Sequence, residues 1–147
     1  SENAVPPMPP CAAGAVTLRR LTPDDLRAFQ SYRHDPALGR YQGWSATNDH
    51  DAAAFISEMG TAPLLQPGVW SQIGIADADT NELIGDIGFL LVADRQHAEI
   101  GFTLRRASHG HGLALAAVRE AITLLFHLTR AQRVLAMSDT GTWLACR

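Results

Sequence analysis

The stretch Glu99–Ala114, Glu-Ile-Gly-Phe-Thr-Leu-Arg-Arg-Ala-Ser-His-Gly-His-Gly-Leu-Ala, constrains the fold more than any other part of this chain. Ile100, Phe102 and Leu104 alternate with Gly101 and Thr103, the period of a half-buried strand. Arg105 and Arg106 end the alternation, Gly110 and Gly112 open a loop, and an apolar run then reaches Leu128. A strand, a glycine loop and a helix start in that order form an anion site. First-turn N–H groups lack intrahelical partners, and the helix dipole favours negative charge beside them. On spacing alone, an ordinary left-handed turn entering a core helix accounts for the two glycines equally well. The stretch is neither Gly-x-Gly-x-x-Gly nor a loop ending in Gly-Lys-Ser/Thr, so it carries neither the dinucleotide nor the nucleotide triphosphate fingerprint.

The remaining segments supply a sheet for this unit to join. Val16–Leu21 reads as a short strand, and Thr22-Pro23-Asp24-Asp25 as a capped helix start running to about Arg33. A loop over 34–48 holds Tyr41 and Trp44, which either line an acceptor pocket or cap the core. A second helix is expected from Asp49 or His50 to Met59, with Phe55, Ile56 and Met59 buried. Strands follow over Val69–Ala76, Leu83–Val92 and His97–Leu104, the first two joined by the turn-rich Asp77–Glu82. Gly85 and Gly88 inside a strand point to a bulge or a close backbone approach. A helix over 112–129, apolar nearly all round, leads to a strand over Arg133–Met137. Strand, helix and strand of these lengths form a βαβ unit with parallel outer strands. The predicted fold class is therefore mixed α/β: a mostly antiparallel sheet with one parallel pair, flanked by helices. Residues 1–14, rich in proline, are expected to be an extended arm before a single domain over 15–147. Asp139–Arg147 is expected to begin another helix, capped by Thr140 or Thr142.

Composition narrows the function classes. The net charge is −3 and the charged fraction 18%, which point to neither a nucleic-acid binder nor a membrane-surface protein. No apolar run approaches the ~20 residues of a membrane span, and no signal-peptide pattern opens the chain. All 12 basic residues are arginine, so no lysine is available as a base. Cys11 and Cys146 and the six histidines lack metal-ligand spacing. No metal is expected, and the cysteines read as free thiols of a cytoplasmic protein.

The pattern resembles motif A of the GNAT acetyl-CoA-dependent N-acetyltransferases, Gln/Arg-x-x-Gly-x-Gly/Ala. Gly112 and Ala114 match its last two fixed positions, and His109 stands where Gln or Arg is usual. The flanks Leu18–Asp25, Leu83–Phe89, Ala98–Phe102 and Arg133–Ala136 with Asp139 resemble the RimJ/RimL-like branch, so the resemblance covers about residues 16–147. It implies that coenzyme A lays its diphosphate on His109, Gly110, His111, Gly112, Leu113 and Ala114. Arg105 and Arg106 would add charge near it, or are simply solvated surface arginines, and the pantetheine arm would pair with Phe102, Thr103 and Leu104. Acetyl transfer to a primary amine needs a base. Glu99 is the first candidate and His97, two residues earlier on the same face, the second. Ser138 is the candidate acid for the leaving thiolate, since the following segment holds no Tyr. The partners implied are acetyl-CoA and an amine acceptor bound near Tyr41 and Trp44. The family normally continues through another helix and two more strands, absent here. A homodimer is therefore expected to cover the sheet edge and helix face left open. The alternative is an acyl-CoA-binding module without turnover.

Overall fold

Strand β4 (His97–Leu104) sits between antiparallel and parallel neighbours, and the rest of the chain is arranged about it. The computed structural model describes residues 14–38, 44–110, 112–138 and 141–147. Six strands form one sheet in sequence order: β1 (Val16–Arg19), β2 (Ser71–Asp77), β3 (Leu83–Leu91), β4, β5 (Arg133–Ser138) and β6 (Gly141–Cys146). All neighbours are antiparallel except β4 and β5, which run parallel from His97–Arg133 to Gly101–Met137. A parallel pair needs a long crossover, and helix α3 (Leu113–Leu128) supplies it. The mixed α/β architecture expected from the sequence is the one observed.

The alternation along β4 assigns the two sheet faces. Ala98, Ile100, Phe102 and Leu104 are buried with Ala117, Val118, Ala121 and Leu125 of α3 in the larger core. Each fully buried residue of Ile or Phe size contributes about 1.5–3 kcal/mol. The opposite face meets α1 (Leu26–Arg33) and α2 (Asp49–Thr61). There Phe29, Tyr32, Ala52 and Ile56 make a second, smaller core with Leu21 and Leu83. A 3-10 turn over Pro23–Asp25 precedes α1, and the Thr22 N–H donates to Asp25 Oδ2 at 2.8 Å. Burial works to raise the Asp25 pKa. The Arg19 guanidinium, bonded to both carboxylate oxygens at 2.9 Å, and the hydrogen bonds from Thr22 together outweigh it and hold the group below its ordinary value.

Gly85 satisfies both sequence readings of that residue. The β2–β3 register shifts between Ile75 and Ala76 beside it, and a Cβ on Gly85 would overlap the Thr103 carbonyl oxygen. The Asp77–Glu82 turn joins β2 to β3 with Asn81 at φ 63°, a conformation Asn tolerates.

The chain end corrects one expectation. Residues 141–146 form strand β6 along β5, not a helix. Thr142, Trp143 and Leu144 suit a pleated surface, and the unpaired side of β5 offers a full set of backbone partners. Trp143 and Ala145 pack on the larger core, and the Trp143 ring lies 5.7 Å from Phe102. Arg147 then closes the end of α3. Its guanidinium donates to the carbonyls of Phe126 (2.6 Å), Thr129 (2.7 Å) and Ala131 (2.9 Å), over the Phe126 ring. β6 thus covers the β5 edge expected to be open, while Leu128 on α3 stays 54% exposed.

Candidate active site

A strand carrying an acid in its apolar middle must give that acid partners, and β3 does so at Asp86, which has no exposed surface. Arg33, in the last turn of α1, donates to Asp86 Oδ2 from Nε (3.2 Å) and to Oδ1 from Nη2 (2.6 Å). Gln72 Nε2 on β2 donates to Oδ1 at 2.5 Å, and the Tyr32 hydroxyl donates to Oδ2. Burial, with the Asp86 charge beside it, pushes the Tyr32 pKa well above its ordinary value, so the phenol keeps its proton. The Arg33 guanidinium lies 4.6 Å from the Phe29 ring centroid and 4.3 Å from that of Trp44. Trp44 is fixed in turn by its indole N–H, which donates to Thr103 Oγ1 at 3.2 Å.

This ionic cluster forms one wall of a cavity of about 300 Å³ on the α1/α2 face of the sheet. Trp44, Phe55 and Trp70 supply aromatic surface, Gly88 and Gly101 a flat floor, and Met137 and Glu99 the far side. Glu99 is half-buried, and among the described residues nothing bonds or ion-pairs with its carboxylate. Trp44 lines this cavity and also packs against the smaller core, whereas Tyr41 falls outside the described residues. His97 is not among the lining residues. It stands at the exposed start of β4, with Nδ1 2.5 Å from Asp94 Oδ2. Backbone N–H bonds from Gln96, then the His97 ring, hold the Asp94 pKa below its usual range. Ser138 ends β5; its side chain lies outside the described residues.

The glycine loop lies at the other end of β4. The Arg105 N–H donates to the Ile84 carbonyl at 2.7 Å, which sets the ladder parity. Phe102 and Leu104 then turn their backbone groups away from β3, on the side where pairing with β5 has stopped at Gly101. β4 runs three residues past that last pair, so the strands part where the sequence reading needs a splay. His109 Nε2 lies 2.7 Å from the Leu104 carbonyl oxygen; a carbonyl only accepts, so Nε2 carries the proton.

Gly110 and Gly112 have φ +80° and +71°, a region costly for other residues. Gly112 is the N-cap of α3 and offers no side-chain cap, so the first-turn amides at Leu113 and Ala114 keep their donors for an outside acceptor. Nothing lies within 4 Å of a Cβ built on Gly110, which leaves open space in front of that turn. These features fit a diphosphate. The arginines are engaged elsewhere. Arg105 bonds Ser108 Oγ (2.8 Å) and Glu82 (3.0 Å), and Arg106 forms a two-pronged pair with Asp35 (2.7 and 2.8 Å). His111 lies outside the described residues.

Sequence reasoning assigned no site role to Arg33, Phe55, Trp70, Gln72, Asp86 or Met137. A signal existed for one of them, because an acid between Gly85 and Ile87 in an apolar strand requires a buried donor. Nothing local says which donor.

A six-stranded sheet whose one parallel pair is joined by a glycine-capped helix is an architecture this chain shares with solved acetyltransferases. The chain superposes on a GNAT-family acetyltransferase from Bacillus anthracis with TM-score 0.70, at 19% identity over 86% of this chain and 71% of that one. A second solved structure, described as a probable acetyltransferase, gives the same TM-score and coverages at 22% identity. The spermidine N-acetyltransferase of Vibrio cholerae, solved with CoA and spermine, gives TM-score 0.66 at 15% identity over 83% of this chain and 70% of that one. No curated protein sequence matches the chain significantly. A model of the acetyltransferase (GNAT) domain matches residues 15–141, and the protein belongs to that family. Membership implies an acetyl-CoA-dependent N-acetyltransferase. Among the described residues, no helix is long and apolar enough to cross a membrane.

Proposed function

We propose that this chain, of the RimJ/RimL-like branch, acetylates a primary amine by direct attack in the cavity between Arg33, Trp70 and Glu99. The observation that carries the reading is the adjacency of two features on β4. An unpaired carboxylate sits in an aromatic cavity, and an uncapped helix start follows the strand's free end.

Coenzyme A, when bound, supplies the acetyl thioester. His109, Gly110, His111, Gly112, Leu113 and Ala114 hold its diphosphate, and the free edge at Phe102, Thr103 and Leu104 takes its amide arm. The Phe102 N–H is the proposed donor to the thioester oxygen. Arg105 acts by shaping the loop through Ser108 and adds its charge at longer range. Glu99 attracts the acceptor ammonium and accepts its proton, making the nitrogen a nucleophile; such a base contributes about 10²–10⁴-fold. His97, held by Asp94 outside the cavity, is the weaker candidate. Ser138, at the end of β5, is the proposed proton donor to the thiolate. Trp44 and Tyr41 belong to the acceptor side.

Two measurements test this. Gly112→Glu should abolish CoA binding in calorimetry, whereas Gly112→Ala, which shares the backbone strain but adds no charge, should weaken it far less. Equal affinity in Gly112→Glu and the wild type sinks the diphosphate assignment. Glu99→Gln should lower kcat by about 10²–10⁴-fold with CoA affinity intact.

The second reading, CoA binding without turnover, draws on the antiparallel pairing of β6 with β5: among the described residues no helix follows β5 to carry an acid. CoA binding with no acetylated amine would favour it. A homodimer is the proposed assembly, formed along the outer edge of β6, where Leu144 is exposed. Sedimentation velocity tests it.

A further inference from the structure

The cavity contains two ionisable side chains among its described lining, and only one is available. Arg33 spends its charge on Asp86 through two hydrogen bonds and has its guanidinium against the Trp44 and Phe29 rings. Glu99 stands alone. An acceptor with one ammonium finds one counter-charge here. A second ammonium in the same space would meet only the Arg33–Asp86 pair, whose charges already balance, and no second carboxylate among the described lining residues.

The rest of the lining is built for a flat apolar body. Trp70 is 50% exposed at the mouth, a large aromatic surface left uncovered beside the equally exposed Val69. Gly88 allows this placement: a Cβ there would come within 2.9 Å of Gln72 Oε1 and 3.5 Å of Trp70 Cε3. Gly88 and Gly101 leave the floor without side chains. The Trp70 ring rests against Gly88, and with the Phe55 and Trp44 rings it presents apolar surface to the cavity, where stacking and apolar burial act together on a planar group. The volume, about 300 Å³, lies at the small end of ligand cavities.

From these observations we infer that the acceptor is a compact primary amine on an aromatic or similarly flat apolar body, with Trp70 the specificity-determining residue, and not a polyamine. The inference rests on the acceptor reading of this cavity given above. The chemistry is shared by free arylalkylamines and by peptides whose first residue is aromatic, and the test separates them.

Calorimetry on the full chain, with and without saturating CoA, would compare 2-phenylethylamine, a tripeptide beginning with Phe, and spermidine. Wild-type protein should bind one of the two aromatic amines at least tenfold more tightly than spermidine. Trp70→Ala should lose about tenfold for that amine and leave spermidine unchanged, while Trp70→Phe should restore most of the loss. The tighter of the two aromatic ligands identifies the source. Spermidine binding as tightly as the tighter of the two aromatic amines, or Trp70→Ala leaving the preference intact, overturns the inference. Loss of CoA binding alone, with aromatic amines still bound, would strike the acetyl-CoA reading and leave this one standing.

Discussion

The two faces of β4 are built from the same eight-residue strand and behave as different materials. On one, Ala98, Ile100, Phe102 and Leu104 meet α3 in an apolar core whose parts are interchangeable in kind. On the other, Glu99, Gly101 and Thr103 meet α1, α2 and the segment before β2 through charges, indole rings and single hydrogen bonds. Packing on the first face depends on volume, and volume tolerates exchange. Function on the second depends on which polar atom has which partner, so each loss leaves a specific group unsatisfied.

That contrast can be broken by experiment. The largest effect should come from Asp86→Ala, which strands the Arg33 charge in a buried site. A loss of about 3–5 kcal/mol is expected in denaturant unfolding, and less than about 1 kcal/mol would show that water reaches the cluster. Tyr32→Phe removes one donor to that carboxylate and should cost about 1.5–3 kcal/mol while keeping the ring packing with Phe29. Across the strand, Ile100→Val deletes one methylene from the α3 face. A cost of about 0.5–1.5 kcal/mol is expected, with acetyl transfer unchanged within about twofold; a larger loss of rate would mean the faces are coupled.

The Arg19–Asp25 pair lies outside both faces and sharpens the comparison through pH. Asp25 has a folded pKa below its ordinary value. Its contribution is therefore present above the unfolded carboxylate pKa of about 3.9 and fades as pH falls below that toward the folded value. Thermal midpoints of Asp25→Asn should depend less on pH below about 4 than those of the wild type. Parallel curves would remove the pair from the acid response. The smallest effect belongs to Arg106→Ala. Its bridge to Asp35 is solvent-exposed at the arginine, and the thermal midpoint should stay within experimental error of the wild type.

Segments were legible wherever period and local chemistry agreed. The β4 alternation, the turn at Asp77–Glu82, the glycines before α3 and the 16-residue α3 run itself all read correctly because each signal lies within one short contiguous segment. The end of the chain misled because Thr140 and Thr142 resemble helix caps, while the pull toward a strand comes from the open side of β5 and from Phe102 across the sheet.

The candidate site divides the same way. The alternation along β4 by itself settled that Glu99 and Ile100 face opposite ways, and the paired glycines settled that a loop would lead into a helix. Only the folded chain decided what stands opposite Glu99. Arg33, Trp44 and Trp70 come from segments 66, 55 and 29 residues earlier in the chain. Periodicity reports which way a side chain points, because backbone geometry sets that locally. It cannot report the neighbour a side chain meets, because strand order and helix packing are chosen by burial summed over the whole chain.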